Sequence, residues 1–179
     1  MPDPRPPALF LADARGLDFL NTVATPADEE VDWIADGDGL LAWLEQAELV
    51  SEPVLKLLRA KARPREFDDV AARARRLREW FRTFVRQHKG RPLALKDARE
   101  LDPLNRLLAH DESFGRIVVH GHGKDRGLAF ETARRWQSPD ALRVPIGETL
   151  ARLVCEEDFS HVKACEGPAC TLMFADDTR

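Results

Sequence analysis

The 179-residue sequence predicts an α+β fold, mostly helical, with one antiparallel β-hairpin at about residues 114–136 and a C-terminal half zinc knuckle. Three observations carry this reading. Between Arg65 and His88, the residues Phe67, Val70, Ala74, Leu77, Phe81 and Phe84 recur at intervals of three and four, the spacing of one stripe on an α-helix. Between Phe114 and Trp136 the period changes: Ile117-Val118-Val119 and then Leu128 and Phe130 flank a Gly-Lys-Asp-Arg-Gly turn. Finally, Cys165-Glu166-Gly167-Pro168-Ala169-Cys170 sets two thiols on either side of a Gly-Pro turn that folds both sulfurs to one side.

The elements follow in order. After a proline-rich start, Leu9–Leu11 reads as a short strand, and Leu17, Leu20 and Val23 predict a short helix over 15–23 that Thr25-Pro26 stops. An acidic loop through Asp28–Glu30 leads to Val31–Ile34. Asp38-Gly39 then opens a helix carrying Leu40, Leu41, Trp43, Leu44 and Ala47. Ser51 with Pro53 starts the next helix, because serine caps free amides and proline is tolerated in a first turn. The long helix at 65–88 ends at Gly90-Arg91-Pro92, and two shorter helices follow, the second announced by Asp102-Pro103. Beyond the hairpin and Pro139, a helix with Pro145 near its start buries Ile146, Leu150, Leu153 and Val154. Ser160–Ala164 delivers the chain to the cysteine pair.

Apolar residues at 44% are enough for one sizeable core, and no stretch approaches the ~20 apolar residues of a membrane span or the pattern of a secretory signal, so a cytoplasmic protein without membrane contact is expected. Three cysteines, an odd number, argue for reduced thiols or metal ligation rather than a disulfide framework. Charge is uneven within the net −4: residues 1–58 hold three basic and twelve acidic residues, and residues 59–91 hold twelve basic and four acidic. In that basic segment Arg75, Arg78, Arg82 and Arg86 read as a stripe opposite the apolar one, with Glu79 placed to pair with Arg75 and Arg82. Such a stripe is either a solvated helix face or a contact for nucleic-acid phosphates.

Other candidates are fewer. Asp18, Asn21 and Thr22 share one side of a short helix; with Trp33 they are either a ligand pocket or polar groups that satisfy buried backbone. His120-Gly121-His122 puts two imidazoles on one strand face, Cys155 reads as a small core residue, and His161 lies four residues before Cys165. The cysteine pair is either inert or disulfide-linked, or it supplies two of the four ligands that zinc takes in structural sites, with the others from another chain. No P-loop, dinucleotide fingerprint, nucleophile elbow or zinc-protease motif is present, so an enzyme is not expected.

Three passages together resemble the bacterial ABATE-domain proteins, described as stress-induced transcription regulators, whose C-terminal module is the CGNR zinc finger. They are Gly16-Leu17-Asp18-Phe19-Leu20-Asn21-Thr22; the helical middle with its hairpin and the helix containing Pro145; and Val162 through Cys165, Cys170 and Phe174 to Asp176-Asp177-Thr178-Arg179. The resemblance spans nearly the whole sequence. It implies a helical body over 1–159 and a zinc-finger segment over 160–179, with Cys165 and Cys170 as zinc ligands. Members of the family continue past this Arg with a basic stretch, a second cysteine pair and the Cys-Gly-Asn-Arg signature. The 179 residues hold only the first half, as in a truncated or reduced member, so zinc is expected at a half-site. The function implied is a regulator whose body senses a ligand or partner and whose C-terminal segment contacts DNA or RNA. The alternative is a domain that binds a small molecule or forms a homodimer without touching nucleic acid.

Overall fold

A computed structural model describes residues 5–12, 14–25, 29–121, 123, 126–167 and 170–176. Pro26, Asp28, His122, Lys124, Asp125, Pro168, Ala169 and the Asp177–Arg179 ending, all used in the sequence reading, lie outside them. The chain is α+β, with helices over roughly half of its length and three separate two-stranded antiparallel sheets.

Helix α1 (Arg15–Leu20) is short, and the pair β1 (Val23–Ala24) and β2 (Val31–Asp32) follows it. The predicted helix over 15–23 therefore stops three residues early. Asn21 already caps it, and Val23 turns to pair with Asp32. The predicted strand Leu9–Leu11 is not a strand. The Leu11 and Ala12 amides, which a strand would give to a neighbour, go instead to the Asp18 carboxylate at 3.1 Å each.

Helix α2 (Gly37–Gln46) is capped by Asp36, two residues before the expected Asp38, with Asp36 accepting from the Gly39 amide at 2.7 Å. Helix α3 (Glu52–Lys61) starts after Ser51 with proline in its first turn, as the sequence predicts. Helix α4 (Glu66–His88) is the backbone of the molecule. It has Glu66, Asp68 and Asp69 in its first turn and Arg86 and His88 in its last, the arrangement that complements the helix dipole. Its N-terminus meets that of α2 closely enough that a Cβ on Gly37 would lie 2.5 Å from the Phe67 Cβ, and the Gly37 amide donates to Asp68 at 2.9 Å.

The first of the two shorter helices is a 3₁₀ segment (Leu95–Leu101) that runs into α5 (Asp102–Leu108). Strands β3 (Ser113–His120) and β4 (Gly127–Arg134) form the predicted hairpin with Ile117 opposite Phe130. A 3₁₀ turn (Pro139–Leu142) leads into α6 (Arg143–Glu156), which packs on α1. Gly16 makes that approach possible, since a Cβ there would sit 2.9 Å from the Leu153 Cβ. Leu153 is buried and Cys155, two residues on, is exposed on the other side of α6. The reading of Cys155 as a core residue is thereby corrected.

Strands β5 (Val162–Ala164) and β6 (Met173–Ala175) form the third sheet, with the cysteine pair in the loop between them. Phe159, Val162 and Met173 are buried in the same core as Leu17, Phe19, Phe81 and Leu150. The described part of the segment from residue 160 is thus packed onto the body. No helix among the described residues is long and apolar enough to cross a membrane.

Candidate functional site

Arg78 and Arg82 are each only 4% exposed, which corrects the reading of them as a stripe opposite the apolar one. The reason lies in helix geometry. At about 100° per residue Arg78 stands about 40° from Ala74 and Arg82 about 80°, so both flank the buried arc. Of the other two arginines, Arg86 is exposed, and Arg75 is half-buried, donating to the backbone carbonyls of Ile34 at 3.0 Å and of Ala35. The four therefore do not form one continuous face for phosphate.

The buried guanidiniums do local work. Arg78 grips Asp32 with two hydrogen bonds, of 2.8 and 2.9 Å, donates to the Thr22 hydroxyl at 3.0 Å, and reaches Glu79 at 2.8 Å. A planar guanidinium matched to a carboxylate in this two-bonded form is the strong version of an ion pair. Burial opposes the charge on Arg78, but Asp32 and Glu79 more than offset it and hold the pKa above its usual value. Thr22 in turn donates to the Phe19 carbonyl at 2.7 Å, so one cluster ties the end of α1 and the β1–β2 pair to α4. Glu79 pairs with Arg78 and Arg82 rather than with Arg75 and Arg82.

Arg82 sits one turn on and donates to the backbone carbonyls of Leu20 and, at 3.2 Å, Thr171. Here burial is the larger influence, and the pKa is lowered. Next to it, the buried Asn21 side chain donates to the Met173 carbonyl at 2.8 Å and accepts from the Met173 amide at 2.9 Å. One carboxamide supplies one donor and one acceptor, as a peptide unit does, so Asn21 pairs with β6 as a single residue of strand would. Thr171 completes the contact by donating to the Val23 carbonyl at 3.2 Å. These bonds form a clasp between the C-terminal end of α1, α4 and the segment carrying the cysteines.

Asp18, the remaining polar residue of the Gly16–Thr22 motif, is fully engaged by the Leu11 and Ala12 amides and by Arg15 at 3.4 Å. Burial pushes its carboxyl above the ordinary range despite these bonds. Trp33 donates its indole N–H to the Pro6 carbonyl at 2.6 Å, which lays the N-terminal segment across α2. The structure does not bring these four candidates to one pocket. Trp33 lines a cavity of about 230 Å³ with Pro6, Pro7, Trp43 and Gln46, whereas a cavity of about 330 Å³ between α1 and α6 is lined by Arg15, Gly16, Leu49 and Leu153. Asp18, Asn21 and Thr22 line neither. The buried indole N–H of Trp43 has no hydrogen-bond partner among the described residues.

The Cys165 amide donates to the Leu172 carbonyl at 2.9 Å and the Cys170 amide to the Gly167 carbonyl at 3.0 Å. A Cβ on Gly167 would lie 3.2 Å from the Cys170 Cβ and 3.6 Å from the Cys165 sulfur. The two thiols influence each other's proton affinity. The neighbouring Cys170 side chain, with help from the Gly167 backbone, holds Cys165 below the usual thiol range, and Cys165 in turn pushes Cys170 up. Two free, half-buried sulfurs on one loop are of the donor type that zinc takes in structural sites. Among the described residues no third His, Cys, Asp or Glu joins them. His120 is exposed at the hairpin end.

The family model for ABATE, described as "Putative stress-induced transcription regulator", matches residues 13–157. No curated protein and no solved structure gives a significant match to the chain. The match covers Gly16–Thr22, all of α4, the hairpin and α6; it includes the Asn21 and Arg82 side of the clasp and ends before Thr171 and Met173.

Proposed function

The chain belongs to the ABATE family, and from that membership we propose that it is a transcription regulator whose body holds a zinc-binding, nucleic-acid-contacting C-terminal segment in fixed orientation. The observation that carries the proposal is the pair of hydrogen bonds from buried Asn21 to Met173, reinforced by Arg82 on Thr171. A body that only happened to precede a finger would not need to commit buried polar groups to it, since a buried polar group left without a partner costs stability. Through the clasp, a change that moves α1 or α4 moves the cysteine loop with it. Cys165 and Cys170 supply two thiolates to zinc, and the remaining ligands come from outside the described residues or from a second chain. Zinc would hold the loop closed and fix the direction in which it faces nucleic acid.

Elemental analysis and fluorescence anisotropy test this together. The expected result is zinc bound by the protein and lost in Cys165→Ser, and affinity for duplex DNA or RNA that falls steeply with salt, with a log–log slope of about −0.9 per phosphate neutralised. Protein loaded with zinc that binds neither nucleic acid even at low salt rules the reading out.

A second reading, a ligand-binding domain without nucleic-acid activity, is favoured by one specific observation. The buried N–H of Trp43 lacks an acceptor among the described residues, and Trp43 lines the 230 Å³ cavity under the N-terminal segment. A small molecule bearing a hydrogen-bond acceptor and an apolar body suits such a cavity. Its binding would raise the unfolding midpoint of the metal-free protein, and would do so less in Trp43→Phe.

A further inference from the structure

We propose that the β3–β4 hairpin is an association arm through which two copies of this chain form a homodimer. Along β3 and β4 side chains alternate between faces, and the register sets Ile117 opposite Phe130 and Val119 opposite Leu128 on the same face. These four are 72%, 76%, 57% and 80% exposed. They form a two-by-two apolar block that includes no charged side chain. The other face is different: Arg116 pairs there with Glu131, Phe114 is covered by the Arg135 guanidinium at 4.9 Å, and Val118, Ala129 and Ala133 are half-buried.

The root of the hairpin is firmly held. Arg134 bonds Asp111 and Glu148, the Arg135 amide donates to the Glu112 carbonyl at 3.1 Å, and Trp136 packs against the core. Beyond that root the strands contact each other and little else. A two-stranded hairpin is marginal alone in water, and one that leaves its most apolar face open gains most from being covered. Gly115 lies under the Phe130 ring, where a Cβ would come within 2.4 Å of it, so the ring lies flat along the strand and extends the apolar face.

The occupant is a second copy for two reasons. The block leaves on the order of 500 Å² of apolar surface open, so two copies stacked face to face would remove roughly 1,000 Å² in all, the lower bound for a specific interface. A two-by-two block also superposes on itself under a two-fold axis lying between the stacked faces, which is the requirement for a contact using the same patch on both subunits. The four exposed residues carry no charge, and Arg134, which the register places on the same face at the root, is already paired with Asp111 and Glu148, which speaks against phosphate or a strongly charged protein as the partner.

Sedimentation velocity of the full chain over about 1–100 μM, the range in which an interface of this size is populated, tests the inference. The wild type is expected to be a dimer at the upper end. Phe130→Glu and, independently, Ile117→Lys are expected to weaken association at least about 100-fold, with unchanged circular dichroism and, at concentrations where the wild type is monomeric, an unchanged unfolding midpoint. Both positions are exposed in the single chain, so either variant suffices if the other misfolds. Leu95→Glu, which removes an exposed apolar side chain elsewhere, should leave the dimer intact. A wild type that is monomeric throughout, or a dimer as tight in both hairpin variants as in the wild type, overturns the inference. So does a nucleic-acid affinity lost in Phe130→Glu with no change in association.

Discussion

Asn21 and Asp18 show how single polar side chains stand in for secondary structure. Asn21 offers the Met173 peptide the donor and acceptor that a neighbouring strand would have offered, and Asp18 takes the two amides that keep residues 11 and 12 from needing a strand partner. Asp18→Ala is expected to cost about 2–3 kcal/mol, because it leaves the buried Ala12 amide and the part-buried Leu11 amide without their acceptor. Asp18→Asn keeps one oxygen for both amides, loses only the Arg15 pair and removes a charge that burial disfavours, so it is expected to cost much less at neutral pH. Urea unfolding of the two variants separates these outcomes. The types and spacing of these residues were visible in the sequence, and so was the possibility that they satisfy buried backbone. Their partners were not, since Met173 lies 152 residues from Asn21 and Asp32 lies 46 from Arg78. Arg78 and Arg82 are a different case. Their angle to Ala74 was computable from the sequence, and it places them on the flank of the buried arc rather than opposite it.

Among the elements, those with a strong period were legible: α4, α6 and the β3–β4 hairpin lie where apolar spacing and turn residues put them. The two-residue pair β1–β2 and the three-residue pair β5–β6 were not, because strands that short carry no period and are made by contacts from other elements. The exposure of Ile117, Val119, Leu128 and Phe130 was hidden as well, since a hairpin's alternation names two faces without saying which one the body covers. Close approaches between helices are equally invisible until the helices are placed. Gly16 is where α1 meets α6, and Gly16→Ala is expected to destabilise by about 1–3 kcal/mol through forced separation at Leu153 and Thr149. A midpoint in thermal unfolding equal to that of the wild type would show that the α1–α6 contact is looser than described.

For the whole molecule, charge is arranged to serve cohesion more than solubility. Asp111 is held below the ordinary carboxylate range chiefly by its hydrogen bond from Arg134, Asp140 by that from Arg143, and Asp97 by the Ala94 amide. Each therefore binds protons more readily in the unfolded chain than in the folded one. Their stabilisation is complete above the ordinary carboxylate pKa near ~4 and is lost as pH falls through the lowered values. Asp18 has the opposite sign: its raised pKa means the folded state holds the proton longer, so it favours folding on the acid side and ceases to do so as pH rises through that value. Urea midpoints measured from pH 7 downward should fall below about pH 4 as the three depressed carboxylates are protonated, and a midpoint that stays level to pH 2 would contradict the ion pairs described.

At this scale the body and the cysteine loop are one structure joined through Asn21, Arg82 and Thr171, and amide hydrogen exchange reads that join directly. In the wild type the amides of Met173 and Cys165 should exchange as slowly as those of α1, and in Asn21→Ala they should exchange far faster while α4 and α6 keep their protection. Equally fast exchange at Met173 and Cys165 in both proteins, at the rate of an exposed loop, would mean that the cysteine segment is not clasped to the body.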